Sequence, residues 1–228
     1  AVHNAATLSS GIPAAAVAPG SIIAIQIVRG GPVPVGIDPS RLAVSVRPVS
    51  GSAEIAAPVL RTGVGAILAL LPKQVPAGEA EVTLAIDGQP AAPARIWVQP
   101  VAAGLFITTQ APPGMAIAQN VRPDLTLELN ALLTPALPGD YVILWGTGLG
   151  DTPAGDVMVE IGGVPVAPAY AGPAPGLPGV DQINVAIPSG IPEGCYVSVL
   201  LRTPASISNE AVLSLASARG PCVHPLGL

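Results

Sequence analysis

Lysine is nearly absent from these 228 residues: Lys73 stands alone, and the nine basic residues are scattered singly, with no two adjacent. Nucleic-acid binding needs clustered Lys and Arg against the phosphates, so this scatter, with a net charge of −5, argues against DNA and RNA as partners. Histidine is confined to His3 and His224 at opposite chain ends, which leaves Ser-His-Asp catalysis without a well-placed base. The only cysteines are Cys195 and Cys222, and without a Cys-x-x-Cys pair a structural zinc site lacks its usual spacing. No Asp-x-Asp-x-Asp array occurs either, so Asp140, Asp151, Asp156 and Asp181 read as solvated turn residues rather than calcium ligands. Neither metal nor cofactor is expected. Long apolar runs are also missing. The mean hydropathy is +0.61, yet the run from Ala66 to Leu71 stops at Pro72, far short of the ~20 residues of a membrane helix. No membrane span is expected.

What the chain does hold is glycine (26), proline (28) and aliphatic residues, with half of all positions hydrophobic. Val, Ile, Leu and Ala are spread along the whole length and can bury a core, which argues against disorder. Between the Gly and Pro turns lie short runs such as Ser21 to Val28, Leu42 to Val46, Glu81 to Ile86, Arg95 to Val98, Tyr141 to Trp145, Val157 to Ile161, Gln182 to Ile187, Tyr196 to Leu201 and Ala211 to Leu215. Several alternate with period two, placing Leu42, Val44 and Val46 on one face, and Val157, Val159 and Ile161 on another. One stretch, Leu125 to Leu133, has weak helical spacing. The fold class is all-β, of sandwich type.

The chain also repeats itself. Ala18-Pro19-Gly20-Ser21-Ile22-Ile23-Ala24-Ile25 matches Leu137-Pro138-Gly139-Asp140-Tyr141-Val142-Ile143-Leu144 in pattern, and Leu71-Pro72-Lys73-Gln74-Val75-Pro76-Ala77-Gly78 matches Ile187-Pro188-Ser189-Gly190-Ile191-Pro192-Glu193-Gly194. Both pairs keep the same order at nearly the same offset. This predicts two tandem immunoglobulin-like β-sandwich domains, 1–106 and 107–228, with the boundary in the stretch from Pro100 to Gly114.

The second half resembles a family of such domains. Trp145-Gly146-Thr147-Gly148-Leu149-Gly150, Val159-Glu160-Ile161-Gly162-Gly163-Val164-Pro165, Asp181-Gln182-Ile183-Asn184-Val185-Ala186-Ile187-Pro188 and Pro192-Glu193-Gly194-Cys195 are similar to the Solibacter C-terminal domain family, which is related in style to IPT/TIG Ig-like domains. Val2-His3-Asn4-Ala5-Ala6-Thr7 and Ala103-Gly104-Leu105-Phe106 fit the same likeness. The first half departs from it, with Val28-Arg29-Gly30-Gly31 and Ala66-Ile67-Leu68 where the second half carries Gly-Thr-Gly-Leu and Gln-Ile-Asn. The resemblance implies an Ig-like fold and secretion, and it supplies no catalytic residues.

The run Gly146-Thr147-Gly148-Leu149-Gly150 follows a strand, but Asp151-Thr152-Pro153 comes next instead of a helix, so a turn between strands is expected rather than a nucleotide loop. Trp97, Trp145, Tyr141, Tyr170 and Tyr196 offer material for a sugar-stacking platform; with aromatics at only 3%, core and edge packing is the simpler expectation. Cys195 and Cys222 are either free core thiols or, as an exported chain favours, a disulfide contributing roughly 3 kcal/mol through loop closure.

Charge, at 10% of residues, is well below the usual quarter. Large uncharged surfaces mark interfaces or packed assemblies. The chain, which opens at Ala1 without a Met, reads as a mature exported product or a fragment of a longer one. The expected function is that of a non-enzymatic repeating subunit of an extracellular filament or cell-surface assembly, its partner a second copy packed head to tail. The segments carrying Ala1, Val2, His3 and Asn4, and Val223, His224, Leu226 and Leu228, are the candidate contacts. The alternative is an adhesion or carbohydrate-binding accessory or spacer module of a larger secreted protein, with cell-surface glycans as partner.

Overall fold

The computed structural model describes residues 1–7, 16–26, 37–63, 65–108 and 113–222 and is all-β, with two single-turn 3-10 helices, Pro39–Arg41 and Ala154–Asp156. Two compact units divide the chain. The first holds Ala1–Ala102, Thr147–Asp151 and Pro175–Val180; the second holds Ala103–Gly146, Thr152–Ala174 and Asp181–Leu228. The division falls after Ala102 rather than after residue 106, and two short segments of the second half count with the first unit. Hydrogen bonds tie these segments in: Ala102 N–H donates to the Gly148 carbonyl (2.9 Å), Ile22 N–H donates to Thr147 Oγ1 (2.9 Å), and the Thr147 hydroxyl donates to the Gly179 carbonyl (2.6 Å).

The strands of the first unit are β1 (Val2–Asn4), β2 (Ala16–Val17), β3 (Ile22–Ile25), β4 (Leu42–Pro48), β5 (Ile55–Ala57), β6 (Val59–Gly63), β7 (Ala66–Leu70), β8 (Gly78–Ile86), β9 (Gln89–Pro90) and β10 (Ala94–Val98). They form a four-stranded sheet, β1-β3-β7-β6, and a six-stranded sheet, β2-β10-β8-β4-β5 with β9 on β8. Period-two alternation turns Val44, Val46, Val82, Ile96 and Val98 of one sheet toward Ile23, Ile25, Ile67 and Ala69 of the other, and these make one core.

The second unit runs β11 (Gly104–Leu105), β12 (Gly114–Met115), β13 (Ala118–Val121), β14 (Leu127–Leu129), β15 (Tyr141–Thr147), β16 (Met158–Ile161), β17 (Val164–Val166), β18 (Tyr170–Pro173), β19 (Asp181–Ala186), β20 (Gly194–Arg202) and β21 (Ala211–Leu215). One sheet has the order β14-β13-β15-β19-β18 with β11 on β15; the other is β12-β21-β20-β16-β17. Each unit is an immunoglobulin-like sandwich. In both, a short early strand pairs in parallel with the last strand of its sheet: β2 with β10, and β12 with β21.

The internal repeat has a structural equivalent. Gly20 N–H donates to the Leu71 carbonyl (2.8 Å) and Leu71 N–H returns to Ser21 (2.9 Å). Gly139 N–H donates to Ile187 (2.9 Å), and Ile187 N–H returns to Asp140 (2.9 Å). Both glycines have positive φ, 81° and 92°, so x-Pro-Gly marks the same turn into the same strand pair in each copy.

The weak helical spacing over Leu125 to Leu133 does not yield a helix, in keeping with the all-β expectation. Leu125 takes a left-handed φ of 66°, the Asp124 carboxylate accepts from Thr126 N–H (3.0 Å), and the chain turns back into β14, hydrogen-bonded to β13. An Asx turn after Pro123 reverses the chain where leucine spacing alone suggested a helix. Asp140 and Asp181 are buried rather than solvated. Asp140 can be buried because Arg122 donates to it and Leu137 N–H caps it (2.8 Å).

Candidate binding face of the second unit

The outer surface of the β14-β13-β15-β19-β18 sheet is fixed by strand parity. Val142 and Leu144 on β15, Ile183 and Val185 on β19 and Ala171 on β18 are buried. The alternate positions therefore point outward: Tyr141, Ile143 and Trp145 on β15, Gln182 and Asn184 on β19, Tyr170 on β18, Gln119 and Val121 on β13. The register sets these side by side. One row reads Leu127, Val121, Tyr141, Ala186; a second reads Leu129, Gln119, Ile143, Asn184, Tyr170; a third carries Trp145, Gln182 and Gly172. None of these positions holds a charged side chain.

Three aromatic and three amide side chains thus share one face, and they are tied to one another and to the backbone. Trp145 Nε1–H donates to Gln119 Oε1 (3.2 Å), and Gln182 Nε2 donates to Asn184 Oδ1 (2.9 Å). Tyr170 folds back along its own strand, its hydroxyl donating to the Pro173 carbonyl (2.7 Å), and a Cβ at Gly172 would lie 3.4 Å from that hydroxyl oxygen. The ring thus lies within van der Waals reach of the backbone at Gly172. Tyr141 and Tyr170 are 45% and 38% exposed, enough ring surface to stack on a ligand.

The inward face beneath the β13–β14 edge carries the opposite chemistry. Arg122 is buried, donates to Asp140, to Glu128 (2.8 Å) and to the Pro135 carbonyl (3.2 Å), and fills the end of the sandwich. Burial works against its charge, but hydrogen bonds to Glu128 and the charge of Asp140 more than offset this, so the guanidinium is held above its ordinary pKa. Beside it, Asn130 donates to Asn120 Oδ1 (3.0 Å) and to the Ser214 carbonyl (3.0 Å), and accepts from Ser214 N–H (2.9 Å). A cleft of about 170 Å³ at this edge is lined by Arg122, Asp124, Thr126, Leu133 and Arg219 among others. These groups serve the fold.

Of the five aromatics that sequence offered for a sugar platform, Tyr141, Trp145 and Tyr170 come together on this face. Trp97 stands apart on the outer face of the first unit's six-stranded sheet, opposite Glu79 and beside Arg95, which pairs with Glu79 (2.9 Å) and approaches Glu81 (3.8 Å). Tyr196 lies on β20, in the other sheet of the second unit. The sequence reading assigns Gln119, Gln182 and Asn184 no binding role; the alternation of amide and aliphatic residues in Gln182-Ile183-Asn184-Val185 is the signal for an outward polar row. Among the described residues no His, Cys, Asp or Glu group forms a candidate metal site, and no helix is long and apolar enough to cross a membrane.

Cys195 and Cys222 form a disulfide, with Cα atoms 5.5 Å apart. Ala1 donates its ammonium to the Gln26 carbonyl (2.7 Å), Val2 and Asn4 are buried in the first unit, and Asn4 Nδ2 donates to the Ala102 carbonyl (2.7 Å). His3 is partly buried on β1. Val2, His3 and Asn4 pair with Ile25, Ala24 and Ile23 of β3 in their own sheet. Val223, His224, Leu226 and Leu228 lie outside the described residues.

No known family model and no curated protein matches the chain. Among solved structures it is similar to SGBP-B of a Bacteroides ovatus mixed-linkage glucan utilization locus, in complex with a mixed-linkage heptasaccharide, at 13% identity and a TM-score of 0.38 over 89% of this chain and 44% of that one. It is also similar to the I9-I11 tandem of titin, at 10% identity and a TM-score of 0.26 over 88% of this chain and 62% of that one. A structural-genomics protein of Bacteroides thetaiotaomicron aligns at 13% identity and a TM-score of 0.29, covering 86% of this chain and 46% of that one. The chain spans less than two thirds of each. At such scores the superpositions are partial, and none bears on what this chain binds.

Proposed function

We propose that the chain is a non-catalytic, exported binding module whose second unit holds a neutral polysaccharide against the outer face of its β14-β13-β15-β19-β18 sheet. The observation that carries this reading is the co-facial set of Tyr141, Trp145 and Tyr170 with Gln119, Gln182 and Asn184, without a charged side chain among them. Sugar rings combine apolar C–H faces, which pack on aromatic rings, with hydroxyls that amides satisfy as donors and acceptors together. The missing charge favours a neutral ligand over a uronic or sulfated one. Export is supported by the Cys195–Cys222 bridge, which an oxidising compartment maintains, and it agrees with the likeness to the Solibacter C-terminal domain family. Affinity gel electrophoresis tests the function: neutral glucans, mannans or xylans in the gel retard the protein while alginate and pectate do not, and Trp145→Ala abolishes the shift. Retardation by the acidic polymers alone contradicts the reading.

A second reading, self-assembly at a cell surface, is favoured by one observation. Leu125, Leu127, Leu129 and Leu133 are all exposed on or beside β14, the edge strand of the same sheet. Exposed leucines on an unpaired edge invite strand addition. Sedimentation velocity decides it: concentration-dependent association that Leu129→Lys abolishes supports assembly, and a monomer at the highest attainable concentration rules it out.

A further inference from the structure

Resting on the glycan reading, we propose that the face grips a flat, ribbon-like stretch of β-1,4-linked chain at least three sugar residues long, laid across the strands from Trp145 to Tyr170. The register supplies the path. Trp145 on β15 stands opposite Gln182 on β19, which stands opposite Gly172 on β18, and the Tyr170 ring is folded back toward Gly172. The two aromatic surfaces therefore end one row running perpendicular to the strands. They are separated by two interstrand spacings, roughly 10 Å. The hydrogen bond from Trp145 Nε1 to Gln119 on β13 draws the indole away from β19 and widens the span.

One pyranose ring is too short to touch both aromatics. Two stacked rings with one between them fill the row. The central ring lies over Gln182 and Asn184, whose mutual hydrogen bond uses Gln182 Nε2 and Asn184 Oδ1. The Gln182 carbonyl and the Asn184 amino group then supply one acceptor and one donor to the central sugar's hydroxyls. Both aromatics belong to the same sheet face, so the bound chain must turn ring faces to one side at both ends of the row. An extended ribbon does this; a coiled, α-linked chain does not. The row also runs off the sheet at β18, an edge strand, so the polymer continues past the site instead of ending in it.

Isothermal titration of the full chain with β-1,4-linked gluco- and manno-oligosaccharides of one to six residues, and with the matching maltooligosaccharides, tests this. Affinity rises at least tenfold between one and three residues, changes little beyond four, and for the hexasaccharide is unaffected by reduction of the terminal sugar. Trp145→Ala and Tyr170→Ala each weaken trisaccharide binding about tenfold, Tyr170→Phe weakens it less, and Trp97→Ala in the first unit leaves it unchanged; thermal melting confirms that each variant is folded. Monosaccharide binding as tight as hexasaccharide binding, or a preference for the α-linked series, overturns the ribbon inference and leaves the glycan reading standing. No binding by any series, with no retardation by any neutral polymer, overturns both.

Discussion

At Gly148 the backbone has a φ of 91°, and a Cβ built there would fall 2.1 Å from the Ala102 carbonyl oxygen. Any side chain must then push back the strand connection that the Ala102–Gly148 hydrogen bond holds. Left-handed strain and the displaced backbone together make Gly148→Ala cost about 3 kcal/mol, read as a lowered urea midpoint with an unchanged slope. His3 gives a second prediction at this scale. Burial, reinforced by the nearby Ala1 ammonium, lowers its pKa below the ordinary 6.5, and its Nδ1 is buried without a partner. The folded state therefore takes up a proton on His3 less readily than the unfolded chain. Stability is full above pH 6.5 and declines as pH falls through that value toward the lowered one. Thermal melts from pH 7 to pH 5 should show a smaller decline in His3→Gln than in the parent; equal declines assign the loss to carboxylates instead.

Among the elements, the β13–β14 hairpin and its return to β15 depend on one cation. Arg122→Ala leaves Asp140 buried with, among the described residues, the Leu137 N–H as its side chain's remaining partner, and a cost of about 3–5 kcal/mol follows. Adding Asp140→Asn to that variant recovers part of it, measured by urea unfolding. The bridge from Cys195 to Cys222 acts at the same end of the unit, where Cys222 N–H also donates to the Leu132 carbonyl (2.6 Å). Reduction costs about 3 kcal/mol, seen as a drop in urea midpoint with reductant that Cys195→Ala/Cys222→Ala reproduces without it. Strands were legible wherever alternation was local: Leu42 to Val46 lies within β4, Tyr141 to Trp145 within β15, and Tyr196 to Leu201 within β20. The leucines from 125 to 133 carry only a weak helical signal because their spacing fits helix and hairpin alike, and the deciding Asx turn at Asp124 is a side-chain bond rather than a period. The candidate face was illegible for another reason. Its residues come from β13, β15, β18 and β19, and only the pairing register shows that Tyr170 and Trp145 flank the same two amides.

For the molecule as a whole, the informative property is where charge sits. The outer sheet face of the first unit carries the ladder Arg47–Glu81 (2.5 Å) with Arg95–Glu79 beside it, whereas the outer β14-β13-β15-β19-β18 face carries none. Binding through the uncharged face should hold constant between about 0.01 M and 1 M salt, a range over which exposed charge interactions are screened away. The most direct measurement is a two-dimensional amide spectrum of isotope-labelled protein titrated with a soluble neutral β-1,4-linked polysaccharide. Shifts are expected to concentrate at the Trp145 indole N–H, at the side-chain amides of Gln119, Gln182 and Asn184, and along β18 and β19. Shifts confined to the strands around Trp97, or absent throughout, would contradict it.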